Sequence, residues 1–111
     1  MANFKVLLNG KSEAFNQSFY NCQILDVSPR GMKMFSEADF GGYINKMLQF
    51  EVHFILDEVS IHAVGDIVWE RPYANGKQYG LIFNNQPKLE DLIVTELKAR
   101  RKKEIILENI R

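Results

Sequence analysis

The stretch Asp26-Val27-Ser28-Pro29-Arg30-Gly31 gathers more chemistry than any other part of this chain. Asp26 offers a carboxylate to an N–H edge, Ser28 and nearby amides can donate to a phosphate-type oxygen, and Arg30 adds a permanent positive charge. Gly31 leaves room for a ligand or another backbone to come close. The same residues also suit a plain corner, in which Asp26 and Ser28 bond the turn's own amides, Pro29 stiffens it and Gly31 adopts a positive φ. Residue types alone leave the corner and the site both open.

Other reactive residues make weaker patterns. His53 and His62 fall opposite each other if Asp57-Glu58 centres a hairpin, with Glu51 and Asp66 as further candidate metal ligands. Two imidazoles do not fill a tetrahedral shell, so a solvent-side pair is expected, with no metal or cofactor. Cys22 is the single cysteine; it excludes an intrachain disulfide and reads as a buried, inert thiol. Ser28 has no histidine placed to activate it and no carboxylate pair marks a cleft, so no catalytic activity is expected. Trp69 is expected in the core rather than as a stacking platform. The basic run Lys98 to Lys103, flanked by Glu96 and Glu104, reads as a solvated helix face. With 14 Lys and Arg against 14 Asp and Glu, no DNA or RNA partner is expected.

These residues need a scaffold, and 111 residues suffice for a single domain over 1–111 with its own core. A composition of 46% hydrophobic and 25% charged residues is that of an ordinary globular chain. No basic leader followed by an apolar run opens the chain, and no apolar segment nears the roughly eighteen residues of a membrane span. A cytoplasmic location is therefore expected.

Phe4, Val6 and Leu8 alternate as a half-buried strand, and Phe19 to Val27 follows with Tyr20, Cys22 and Ile24 on one face. Gly31 to Phe35 resumes after the motif, with Met32 and Met34 together. Asn9 to Ser12 reads as a turn, and Ser36 to Lys46, with its Gly41-Gly42 pair, as a loop. Phe50, Val52, Phe54 and Leu56 alternate most clearly and are answered by Ile61, Ala63, Gly65, Ile67 and Trp69. The Asp57-Glu58 hairpin sets Phe54 against Ile61 and puts both apolar rows on one face. Asn75-Gly76 is a favoured tight-turn pair ahead of a sixth strand, Gln78 to Phe83.

After Pro87, abundant Leu, Glu, Lys and Arg predict a helix over about 88–110. Leu89, Leu92, Ile93 and Leu97 form a stripe for the sheet, whereas Ile105, Ile106, Leu107 and Ile110 either wrap a barrel end or pair with another chain. The expected fold class is mainly β, a six-stranded antiparallel barrel over about 4–86, built as a meander closed on itself, with a C-terminal α-helix. A two-layer sheet-and-helix sandwich is the alternative.

Asp26-x-Ser28-x-x-Gly31 between the second and third strands, then Gly65-Asp66-Ile67-Val68-Trp69 and Tyr79-Gly80-Leu81-Ile82-Phe83, together resemble the PilZ domain family over Phe4 to Phe83. The resemblance implies a non-enzymatic bacterial signalling module that binds cyclic di-GMP through an Asp/Asn-x-Ser-x-x-Gly turn and an upstream Arg-x-x-x-Arg motif. Carried onto this chain, it implies Asp26, Ser28 and Gly31 as ligand-binding residues, with Arg30 as the local cation between them. The arginine pair is missing: Arg30 is the first arginine, and Lys5 and Lys11 are the only earlier cations. Bidentate charge-assisted contacts contribute about 1.5–3 kcal/mol each, so weakened binding is expected unless Arg71 or a partner chain restores the charge. The alternative is a PilZ-like adaptor that no longer binds nucleotide and acts through a protein partner, or as a homo-oligomer through its C-terminal helix.

Overall fold

The computed structural model describes residues 2–8, 19–38, 48–84 and 86–110. Six strands, β1 (Ala2–Leu8), β2 (Tyr20–Ser28), β3 (Gly31–Ser36), β4 (Leu48–Ile55), β5 (Ser60–Tyr73) and β6 (Gly76–Ile82), precede one helix, α1 (Pro87–Ile110). All strand pairs are antiparallel and the sheet closes as β1-β2-β3-β6-β5-β4. Closure excludes the two-layer sandwich. It is not the simple meander expected, because β3 passes over β4 to pair with β6, and β4 returns to β1. The Asn9 to Ser12 turn and most of the Ser36 to Lys46 loop lie outside the described residues.

Alternation decides what fills the barrel. Phe4 and Val6 of β1, Met32 and Met34 of β3, Phe50, Val52 and Phe54 of β4, and Ile61 and Ala63 of β5 all point inward and are buried. Phe4 packs on Phe50 at 4.5 Å between ring centroids, and Phe50 meets Tyr79 edge-on at 5.0 Å. Burying each such ring contributes about 1.5–3 kcal/mol, so this aromatic stack is the heart of the core. The β4–β5 register is the one the Asp57-Glu58 hairpin requires, with Phe54 against Ile61 and His53 against His62.

Two strands break their own alternation. In β2 the pairing steps from Ile24–Met34 to Asp26–Lys33 and leaves Leu25 as an extra residue. In β5 it steps from Ile67–Leu81 to Trp69–Gly80 and leaves Val68 extra. A bulge of this kind flips every later side chain to the other face. Trp69 therefore does not continue the inward row of Ile61, Ala63, Gly65 and Ile67; it lies on the outer face and is 40% exposed, which overturns the core placement. Strand β5 also runs on to Tyr73, where pairing with Gly76 makes Ala74 and Asn75 the central turn residues. Asn75-Gly76 is thus displaced by one position from the turn centre expected, and the positive φ falls on Ala74, at 50°. Gly76 is needed for space instead, since a Cβ there would sit 2.2 Å from the Ser36 carbonyl oxygen.

Helix α1 is seated by its first half. Leu89 and Ile93 enter the core, and Leu92 and Leu97 pack against it. Glu96, also buried, turns its carboxylate to the β4–β5 loop, where Oε1 accepts from the Glu58 and Val59 amides at 3.1 and 2.7 Å. Lys103 reaches the same loop, 2.8 Å from Asp57 and 3.0 Å from Glu58. Beyond it Ile105, Ile106 and Leu107 stay 43%, 57% and 63% exposed, so the helix end does not wrap the barrel.

Two stability measurements follow. Glu96→Ala strips two loop amides of a buried acceptor and is expected to cost about 3 kcal/mol in chemical denaturation, with faster hydrogen exchange at Glu58 and Val59; unchanged exchange there would refute the anchor. Ala74→Gly relieves a left-handed alanine costing about 1–2 kcal/mol, offset in part by glycine's greater unfolded-state freedom. A net gain of roughly 0.5 kcal/mol is expected in the same assay.

Candidate ligand-binding face

The opening motif is the tip of a hairpin. Ser28 pairs with Gly31, so β2 and β3 are joined by Pro29 and Arg30 alone. The Ser28 hydroxyl donates to the Gly31 carbonyl at 3.3 Å, and the Phe83 amide donates to the Arg30 carbonyl at 2.8 Å. Gly31 does not adopt the positive φ that a corner would ask of it. Its constraint is lateral: a Cβ at this position would stand 2.5 Å from the Leu81 carbonyl oxygen of β6. Glycine is required here so that β3 and β6 can pair.

Above the hairpin, one transverse row crosses four strands on the outer face. Asp26 of β2 pairs with Lys33 of β3, Lys33 with Gly80 of β6, and Gly80 with Trp69 of β5. The indole lies over Gly80, where a Cβ would come within 2.1 Å of Trp69 Nε1. Arg71, one alternation further along β5, holds its guanidinium 5.6 Å from the Trp69 ring and donates from Nε to Gln78 Oε1 at 2.7 Å. Among the described residues neither Asp26 nor Lys33 has a side-chain hydrogen bond or ion pair. Asp26, Ser28, Gly31, Lys33, Trp69 and Gly80 line a shallow depression of about 270 Å³.

The row holds an open acceptor, an open cation and a flat aromatic shelf. That set suits a heterocycle with N–H donors linked to a phosphate: the carboxylate takes the donor edge, the ammonium the phosphate, and the indole the ring face. Three of the four motif residues come together here. Arg30 does not, because its side chain, 83% exposed, turns toward α1 and sits 3.3 Å from Glu90 Oε1. Of the earlier lysines, Lys5 rests 4.6 Å from the centre of the Phe19 ring, and Lys11 lies outside the described residues. Sequence reasoning missed Lys33 and misplaced Trp69. The trace was present in the apolar doublets Ile24-Leu25 and Ile67-Val68, each of which breaks strict alternation just before a row residue.

The remaining reactive groups stay apart from this face. His53 and His62 stack face to face at 4.0 Å and 6°. Glu51 Oε2 is 3.5 Å from His53 Nε2, but Asp66 instead accepts from Gln49 at 2.7 Å and from Asn84. No group of three metal-ligating side chains forms among the described residues. Burial pushes the Cys22 thiol up to about 11, which keeps it protonated and poorly nucleophilic at neutral pH.

Comparison with known proteins gives one match: the family model of the PilZ domain aligns with residues 3–99. No curated protein matches the chain, and neither does any solved structure.

The two glycines of the face separate cleanly by substitution. At Gly31→Ala the obstacle is backbone, so β3–β6 pairing must yield and a loss of about 2 kcal/mol or more is expected. At Gly80→Ala the obstacle is the Trp69 side chain, which can swing out. Here the expected result is a red-shifted Trp69 emission with a stability loss below about 1.5 kcal/mol. Unchanged emission from Gly80→Ala would contradict the seat of the indole.

Proposed function

On the premise that this chain belongs to the PilZ domain family, as the match over residues 3–99 shows, we propose that it is a non-enzymatic bacterial signalling module that binds cyclic di-GMP on the outer face of its barrel. The observation that carries this reading is the row of Asp26, Lys33, Gly80 and Trp69, with two opposite charges that lack a side-chain partner among the described residues, beside an aromatic shelf. Guanine presents N–H donors that suit Asp26, and its ring suits the indole. The phosphate suits Lys33, with Ser28 as a hydroxyl donor at the hairpin tip and Gly31 keeping that tip against β6. Arg71 lies next along the same face and supplies the guanidinium closest to the shelf.

Affinity on this reading is moderate and salt-sensitive. Lys33 is a point charge without the fork of arginine, and Arg30 is occupied by Glu90. A second reading, a protein-interaction adaptor, is favoured by the exposed Ile105, Ile106 and Leu107 at the end of α1. No helix of the described residues is long and apolar enough to cross a membrane.

The single tryptophan makes the test direct, because Trp69 is the only indole that can report. Titration with cyclic di-GMP is expected to quench its emission and to give heat in calorimetry. Lys33→Ala and Ser28→Ala should each weaken binding by about tenfold, the scale of one charge-assisted or polar contact. Absence of binding, or both variants binding as the parent does, sinks the nucleotide reading and leaves the adaptor.

A further inference from the structure

Strand β2 has a second flank. Its pairing with β1 spans only Tyr20 to Cys22, so among the described residues Gln23 to Val27 are bonded to β3 on one side alone. Between that stretch, the end of β4 and helix α1 lies a groove of about 530 Å³. Ile24, Val27, Phe54, Leu56 and Leu97 are among the lining residues, and the surface the groove exposes is polar and apolar in about equal measure. Among the described residues two charged ones line it, Asp26 from the motif and Arg100 from α1. A cleft that sets a few convergent polar groups among apolar side chains is the usual form of a small-molecule site.

Asp26 also lines the shallow depression on the opposite flank. The two depressions therefore meet at one carboxylate, and adjacent strands are only about 4.8 Å apart. A ligand held at Lys33 and Trp69 reaches the groove by crossing one strand. Arg100 is available there: its side chain is 57% exposed, and among the described residues its one ion pair is to Glu104, at 3.3 Å and 59% exposed. That is the weaker orientation for a pair four residues apart, and solvent screens it.

We propose that Arg100 is a ligand-binding residue, the guanidinium that grips the second phosphate or guanine edge of a cyclic dinucleotide lying across β2, with Asp26 at the crossing point. This rests on the nucleotide reading given above and adds to Arg71 a second forked cation, on the other flank of β2. It makes α1, otherwise a packing element, one wall of the binding site.

The test is calorimetry of the full chain with cyclic di-GMP, comparing Arg100→Ala and Arg100→Lys with Lys102→Ala, an exposed cation of α1 outside the groove lining. Arg100→Ala is expected to bind about tenfold to a hundredfold more weakly, Arg100→Lys to recover only part of the loss, and Lys102→Ala to match the parent. Arg100→Ala should also bind with a shallower salt dependence than the parent. Melting curves should be unchanged, since Arg100 is exposed. If Arg100→Ala binds like the parent while Ser28→Ala is weakened, the groove assignment is wrong and the outer-face reading stands. If the parent does not bind the dinucleotide at all, both are wrong.

Discussion

Two extra residues, Leu25 on β2 and Val68 on β5, decide what the outer face of this barrel carries. In a closed sheet every strand has a neighbour on both sides, so the inward and outward assignments must agree all the way round. A single insertion would send half of a strand's apolar residues to the wrong face. Here both insertions fall at the same height, beside the row Asp26, Lys33, Gly80 and Trp69, and each is absorbed where it occurs. Below the row, Val27 still packs against the core and pairs with the buried Met32. The cost is two locally disrupted ladders; the result is a carboxylate, an ammonium and an indole displayed side by side without loss of the interior.

The motif's residues divide their labour accordingly. Gly31 serves the fold, because only a missing Cβ lets the Leu81 carbonyl approach. Ser28 closes the hairpin through Gly31. Asp26 does neither, being exposed and without a side-chain partner among the described residues, so its carboxylate is left open to solvent. Gly80 adds a second kind of vacancy, filled by the Trp69 ring rather than by backbone. Packing alone would be served as well by a small side chain at position 80 and a turned-away indole; the flat seat is what makes an aromatic shelf.

Much of this was legible in the order of residues. The period-two runs located the strands, the Asp57-Glu58 hairpin fixed the β4–β5 register down to the stacked His53 and His62, and the switch after Pro87 marked the helix. What escaped was non-local. Bulges are settled by the neighbouring strand, so Trp69 read as core when its row was counted straight through Val68. The order β3-β6 rather than β3-β4 depends on closure around a shared core, which short-range pattern does not encode. Arg30 was placed correctly in the turn, yet the direction of its side chain is set by Glu90, sixty positions away. The buried Glu96 looked like one charge among many in a polar helix, because its acceptors' partners are loop amides that no periodicity announces.

A chain with no net charge can still bind a dianion if its cations are unevenly committed. Several here are spent on structure: Lys103 on the β4–β5 loop, Arg30 on Glu90, Lys77 on Glu70. Lys33 is unpaired among the described residues, Arg71 leans on an indole rather than a carboxylate, and Arg100 has only a screened, exposed partner. These three line or flank the two depressions on either side of β2. Charges separated by more than the Debye length of about 8 Å hardly feel one another at physiological ionic strength, so the overall neutrality counts for little at the site. Within that reach Lys33 stands opposite Asp26 across the β2–β3 pairing, Arg71 lies beside the Trp69 ring and Arg100 lines the groove on the other flank. Arg30, Lys77 and Lys103 are committed elsewhere, and the bulges put Asp26, Lys33 and Trp69 together on the outer face.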